Sequence, residues 1–127
     1  MEEKIMVCVT QQKSCESLIK KGYKLSEKLK GELKIIHVVK KGWKYLDEMK
    51  ESDALEYLFD ISKQYDAELS VYKAKDIEGK LAEYAQNNKI TKIVMGESLE
   101  TSKQQNMIKR LKNKIKRPVE FKIIKKS

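Results

Sequence analysis

Two short polar segments hold the residues best suited to chemistry. The first, Thr10-Gln11-Gln12-Lys13-Ser14, follows an apolar run that closes at Val9; the second, Gly96-Glu97-Ser98, continues through Thr101, Ser102 and Lys103. Small residues, hydroxyls and lysines in a turn that opens a helix present backbone N–H groups and positive charge to an anion, phosphate above all. Turn formation and helix capping account for the same residues without any ligand. Neither segment is a Walker loop, since G-x-x-x-x-G-K-[ST] is absent, and neither is a dinucleotide fingerprint, since G-x-G-x-x-G is absent. Glu97 opposes a bound anion, and Lys13 and Lys103 are the residues placed to offset it.

Catalysis finds less support. His37, the only histidine, stands near the end of the second β-rich run, where a packing role outweighs that of a general base. No Ser-His-Asp or Cys-His set can be assembled around it. Cys8 and Cys15 fall in a strand and in the first turn of a helix, without the companion cysteines a metal site needs, and read as structural thiols of a reducing compartment. The carboxylates show no metal-binding repeat. Trp43 and Tyr45 either line a rim after the second strand or pack on the next helix. The expectation is a chain without enzymatic turnover.

These residues are carried by a regular alternation of elements. Lys4 to Thr10 is apolar at nearly every position, as in a central parallel strand buried on both faces. Ser14 is placed to cap a helix whose Cys15, Leu18, Ile19, Gly22, Leu25 and Leu29 recur at helical spacing, and Gly31 ends it. Gly22 costs helicity, which predicts a close approach to the sheet. Leu33 to Val39 is the second strand, and Trp43 to Ser52 is an ambiguous loop or extra turn before a helix running from Ala54 to Tyr65. Ala67 to Tyr72 follows as strand three, and Asp76 caps a helix bearing Ile77, Leu81, Tyr84 and Ala85. Lys92 to Met95 is a short inner strand closed by Gly96. Met107, Ile108, Leu111 and Ile115 mark a fourth helix, and Val119 to Ile124 is the fifth strand. The β-α alternation predicts one domain over residues 1–127, a three-layer α/β/α sandwich on a five-stranded parallel sheet. In such folds ligands sit beyond the carboxyl ends of the strands, which is where both polar segments fall.

The charge is unevenly distributed. Residues 1–100 contain 18 lysines and 18 carboxylates, whereas residues 101–127 contain ten Lys or Arg against the single Glu120. The whole excess of +9 therefore belongs to the last helix and strand, where it could attract a nucleotide, RNA, an acidic protein or a membrane surface, or simply keep a face solvated. With 26 Lys and two Arg, the chain is poor in the guanidinium forks that read phosphates and base edges, so nucleic acid is not the expected partner. No apolar run approaches the roughly eighteen residues needed to span a bilayer, and the start of the chain lacks the basic and apolar regions of a signal peptide. A cytoplasmic protein is expected.

The run Lys4-Ile5-Met6-Val7-Cys8-Val9-Thr10 before a polar turn and long helix resembles the opening of the universal stress protein superfamily. More closely, it resembles the small universal-stress-like domain of Kdp-type potassium sensor kinases. Asp76 to Ala85 and Lys89 to Ser98 strengthen the resemblance, which extends over the chain. It implies an adenine nucleotide alpha hydrolase-like fold with strand order 3-2-1-4-5 and a nucleotide cleft between the ends of strands one and four. Thr10, His37, Val38, Met95, Gly96 and Ser98 occupy cleft positions. ATP-binding relatives carry an acidic residue after the first strand and phosphate-cradling glycines after the fourth; here Thr10 stands at the first position, and Leu99 and Lys109 at the glycines. The resemblance implies a regulatory module of stress or potassium signalling that binds ATP or cyclic di-AMP. The alternative is a protein-interaction module, pairing with a signalling protein or with itself through strand five.

Overall fold

The computed structural model describes residues 3–9, 15–40, 48–97 and 100–125. Nine elements alternate along them: β1 (Lys4–Val9), α1 (Cys15–Leu29), β2 (Glu32–Lys40), α2 (Glu48–Gln64), β3 (Glu68–Ala74), α3 (Ile77–Asn87), β4 (Lys92–Gly96), α4 (Thr101–Lys114) and β5 (Glu120–Ile124). The strands are all parallel and lie in the order β3-β2-β1-β4-β5, as expected. The ambiguous stretch before the second helix resolves in part, because α2 already starts at Glu48.

The sheet divides the core in two. On one face Ile5, Val7 and Val9 of β1 join Leu33 and Ile35 of β2 beneath Ile19 of α1 and Leu58 and Ile61 of α2. On the other, Met6, Ile36, Ile93 and Met95 pack under Leu81, Tyr84 and Ala85 of α3 and Leu111 of α4. Alternate side chains of a strand point to opposite faces, so β1 must be apolar at successive positions to feed both layers. Ile5, Met6 and Val7 are each fully buried. Gly22 serves the first layer: a Cβ there would stand only 2.4 Å from Cγ2 of Val7, so α1 rests on β1 through bare backbone.

Three helices end alike. Lys30, Asp66 and Lys89 take left-handed backbone (φ 55, 52 and 53°). The next amide reaches back to Ser26, Ser62 and Ala85, respectively, with N···O distances of 2.8–2.9 Å. These are Schellman stops that satisfy the last carbonyls of each helix. A side chain in this conformation costs about 1–2 kcal/mol, while glycine's freedom in the unfolded chain costs about 0.4–1 kcal/mol. Lys89→Gly is therefore expected to raise stability by about 0.5 kcal/mol, measured as a higher urea midpoint at unchanged m value. A midpoint shifted downward would count against the stop.

At the other end of α3, Asp76 caps the helix as expected, its Oδ1 accepting from the Gly79 amide at 3.0 Å. Arg110 of α4 grips Glu78 with two bonds of 2.7 and 2.9 Å, and Lys114 lies 3.9 Å from Asp76. Part of the basic face of α4 is thus spent on α3. At β5, Glu120 sits between Lys92 (2.9 Å) and Lys122 (3.0 Å), and these cations hold its carboxyl at about 2. A carboxylate whose folded pKa is depressed adds stability above its unfolded value of about 4.5 and loses it as the pH falls toward 2. Glu120→Gln is expected to flatten the acid limb of the stability curve across that window while leaving the curve's shape above about pH 5 unchanged. Urea titrations at several pH values read this directly; an unaltered acid limb would remove the ion-pair account.

Candidate functional site

The carboxyl edge of the sheet is built by the ends of all five parallel strands. α1 follows β1 onto one face and α4 follows β4 onto the other. The two neighbouring strands, in register at Cys8 and Met95, thus send their following helices to opposite faces, which makes this the switch point of the sheet, the place where such folds bind ligands. His37 stands on β2, before its end at Lys40, opposite Val9, the last residue of β1. It is 5% exposed, and its Nδ1 lies 3.0 Å from the Val9 carbonyl oxygen. A carbonyl only accepts, so the proton of that bond is on Nδ1, and in the neutral ring Nε2 keeps a lone pair. The histidine ties β2 to the last carbonyl of β1, which is a positioning role.

Gly96 closes β4. Its carbonyl accepts from Nε2 of Gln104 at 2.9 Å, and the following amide, Glu97 N–H, donates to the Ile124 carbonyl at 2.9 Å. Gln104 was not singled out in the sequence, where it reads as one more polar residue of α4. It lies one turn before Ile108 on the buried stripe and is itself 8% exposed. A glutamine on an apolar stripe is the signal that identifies it, because a buried amide requires a partner. It fixes the start of α4 against the end of β4.

Neither backbone conformation nor packing among the described residues requires glycine at position 96. Among the described residues a Cβ there would meet only Leu18 Cδ2, at an ordinary 3.9 Å, and its φ lies outside the left-handed region. Gly96 is exposed at the end of β4. α4 begins nearby with Glu100 as a cap that makes no side-chain cap bond, and its first turn carries no acidic residue. Its leading amides therefore have no intrahelical acceptor. Ser102 and Lys103 are exposed on that turn, and Lys103 pairs with Glu100 at 3.3 Å, so its charge is partly committed. Val38 is half-buried against the α3–α4 layer, and Met95 is buried within it. Cys8 shares that layer, and desolvation pushes its thiol up to about 12, which keeps it from acting as a nucleophile. Thr10, Gln11, Gln12, Lys13, Ser14 and Ser98 lie outside the described residues, as do Trp43 and Tyr45. Of the expected site residues that are described, His37 and Val38 lie on β2 and Met95 and Gly96 on β4, the two strands that flank β1; Val38 and Met95 face the α3–α4 layer, and Ser102 and Lys103 stand on the first turn of α4. Among the described residues no group of three or more His, Cys, Asp or Glu could hold a metal ion, and no helix is long and apolar enough to cross a membrane.

Solved structures share this architecture from end to end. The universal stress protein of Lactobacillus plantarum superposes with a TM-score of 0.67 at 12% identity, over 96% of this chain and 97% of its own. The fold is that of the universal stress proteins. A universal stress protein in complex with cAMP gives a TM-score of 0.66 at 15% identity, over 99% of this chain and 98% of that one. The protein from Archaeoglobus fulgidus in complex with dAMP gives 0.61 at 13%, over 95% and 97%. No protein-family model and no curated protein matches the chain by sequence. The universal-stress fold is therefore shared at identities where only the arrangement of backbone is common.

Proposed function

We propose that this chain is a non-enzymatic regulatory module of stress or potassium and osmotic signalling that binds an adenine nucleotide beyond the carboxyl ends of β1 and β4. The observation that carries the proposal is Gly96, a residue with no side chain, required by neither φ nor packing among the described residues, at the switch point of the sheet. The start of α4 supplies amides for a phosphate, and the buried layer of Met95 and Val38 supplies apolar support. Two universal stress proteins of the same fold are complexes with cAMP and dAMP, both adenine nucleotides with a single phosphate. Leu99 and Lys109 stand at the glycine positions of ATP-binding relatives, which favours a single phosphate over the triphosphate or cyclic di-AMP.

Titration with AMP, cAMP, ATP and cyclic di-AMP tests this. One or more of the monophosphates is expected to shift the backbone amides of Val9, His37, Gly96 and residues 101–104, and to raise the melting temperature without releasing phosphate. At one hundred times the dissociation constant the stabilisation amounts to about 2.7 kcal/mol. Gly96→Val is expected to fold normally and to lose the response. No amide shift with any of the four at millimolar concentration would overturn the proposal.

The second reading, a protein-interaction or homodimerising module, is favoured by the position of β5 at the edge of the sheet, where one side of its backbone faces no strand among the described residues.

A further inference from the structure

The open edge of β5 and the basic face of α4 lie together, and their chemistry selects a partner. β5 pairs with β4 alone among the described strands. The Glu120 amide donates to the Thr91 carbonyl, and the Ile124 carbonyl accepts from Glu97. In a strand the N–H and C=O of one residue point the same way and alternate along the chain. Glu120, Lys122 and Ile124 therefore turn their backbone inward to β4, and Phe121 and Ile123 turn theirs outward. Four adjacent hydrogen-bonding groups are thereby offered to a further strand.

Of the cations around this edge, Lys92 and Lys122 are paired with Glu120, but those of the α4 row above it, Lys109 and Lys112, are not spent in that way. Arg110 and Lys114 are paired with Glu78 and Asp76. Lys112 instead lies over the ring of Phe121, 5.7 Å from its centroid, directly above the edge residue. Lys109 lies one turn earlier on the same side of α4, and Lys125 directly follows β5; both are exposed, and no carboxylate among the described residues pairs with Lys109, Lys112 or Lys125.

We infer that the β5 edge binds an extended acidic segment of a partner protein, added as a sixth strand beneath the Lys109–Lys112 row. A polypeptide matches the alternating donors and acceptors of the edge, and carboxylates on alternate residues meet the lysines. Nucleic acid satisfies the charge but not the backbone groups, and of the two arginines that could read it, Arg110 is already held by Glu78. A second copy satisfies the backbone groups but not the charge. Symmetric pairing of two β5 edges would set the lysine rows of both copies against each other. The inference supplies a partner chemistry for the interaction reading and is independent of the proposed nucleotide site, which lies at the ends of the strands.

The probe is a short synthetic peptide alternating glutamate and valine, titrated into the labelled full chain. Binding is expected to shift and protect the amides of Phe121 and Ile123, to weaken roughly tenfold on going from low to high salt, and to weaken by a similar factor in Lys109→Glu/Lys112→Glu. Both positions are exposed, so an unchanged urea midpoint of the variant shows that the fold is kept. The same peptide methylated at alternate backbone nitrogens is expected not to bind, which separates strand addition from charge attraction alone. Equal binding of the methylated peptide, stronger binding of a single-stranded oligonucleotide at the same residues, or self-association through β5 that outcompetes the peptide at low salt would each overturn the inference. Absence of binding at millimolar peptide would do so too, leaving the lysines as guards against edge pairing. The nucleotide titration is unaffected by any of these results.

Discussion

Ile36→Ala is expected to lower the stability of this domain by about 3–4 kcal/mol, among the largest losses available to a single conservative truncation. Ile36 is fully buried at the centre of β2, between Cys8 on β1 and Ser70 on β3, and is part of the layer under Leu81, Tyr84 and Ala85. Removing its outer carbons forfeits their transfer from water and leaves a void. The neighbours cannot fill it, because the flanking strands fix the backbone on both sides. Against a total of about 5–15 kcal/mol the loss is large, corresponding to a fall in melting temperature of roughly 10–15 °C. Val38→Ala, two residues on along the same face but only half-buried, is expected to cost about 1 kcal/mol. Chemical denaturation of the two variants compares them at a common m value. Similar small losses at both positions would mean that α3 does not press on β2 as described.

That contrast shows why the fold was legible in the sequence. The continuous apolar run Ile5 to Val9 has no amphipathic solution, so it required two covering layers, and the alternation of elements supplied them. Asp76 as a cap and Gly22 as a contact with the sheet followed from equally local rules. Boundaries were less legible: Glu68–Ala74 runs beyond the predicted end of strand three, because its pairing with β2 continues to Lys40. For the candidate site the sequence offered a location, the carboxyl edge, but not the contacts that shape it. Strand order and crossover direction put the switch point of the sheet at the carboxyl ends of β1 and β4, and Gly96 could be named from its place after an apolar run. Gln104 could not, since its bond to Gly96 O joins residues whose closeness depends on how α4 folds back over β4. The split between Arg110 and Lys114, which pair with α3, and Lys112, which lies over Phe121, was likewise hidden; in the sequence all were equivalent members of a basic face.

Gly31 reads in the sequence as the residue that stops α1, but in the structure the stop belongs to Lys30, which takes the left-handed turn. The need for glycine comes from the neighbouring strand. A Cβ at position 31 would lie 2.4 Å from the Glu3 carbonyl oxygen and 2.9 Å from its carbon. That carbonyl cannot retreat, because it accepts the Glu32 amide at 3.0 Å, the bond that begins the pairing of β1 with β2. Nor can Gly31 move away, since its own amide is held by Ser26 at 2.8 Å. Gly31→Ala is therefore expected to cost about 2–3 kcal/mol, the range of an overpacked site whose clash is with backbone rather than with a side chain that can turn aside. The loss has a local signature that a general weakening would lack: hydrogen exchange at Glu32 is expected to accelerate more than exchange at Ile36, further along the same strand. Lys30→Gly, one residue earlier, is expected to be neutral or stabilising, because it relieves a left-handed side chain without adding an atom near Glu3. If Gly31→Ala were tolerated and Lys30→Gly were not, the glycine would be serving the helix stop after all, and the close approach of the two strands at their amino ends would be refuted.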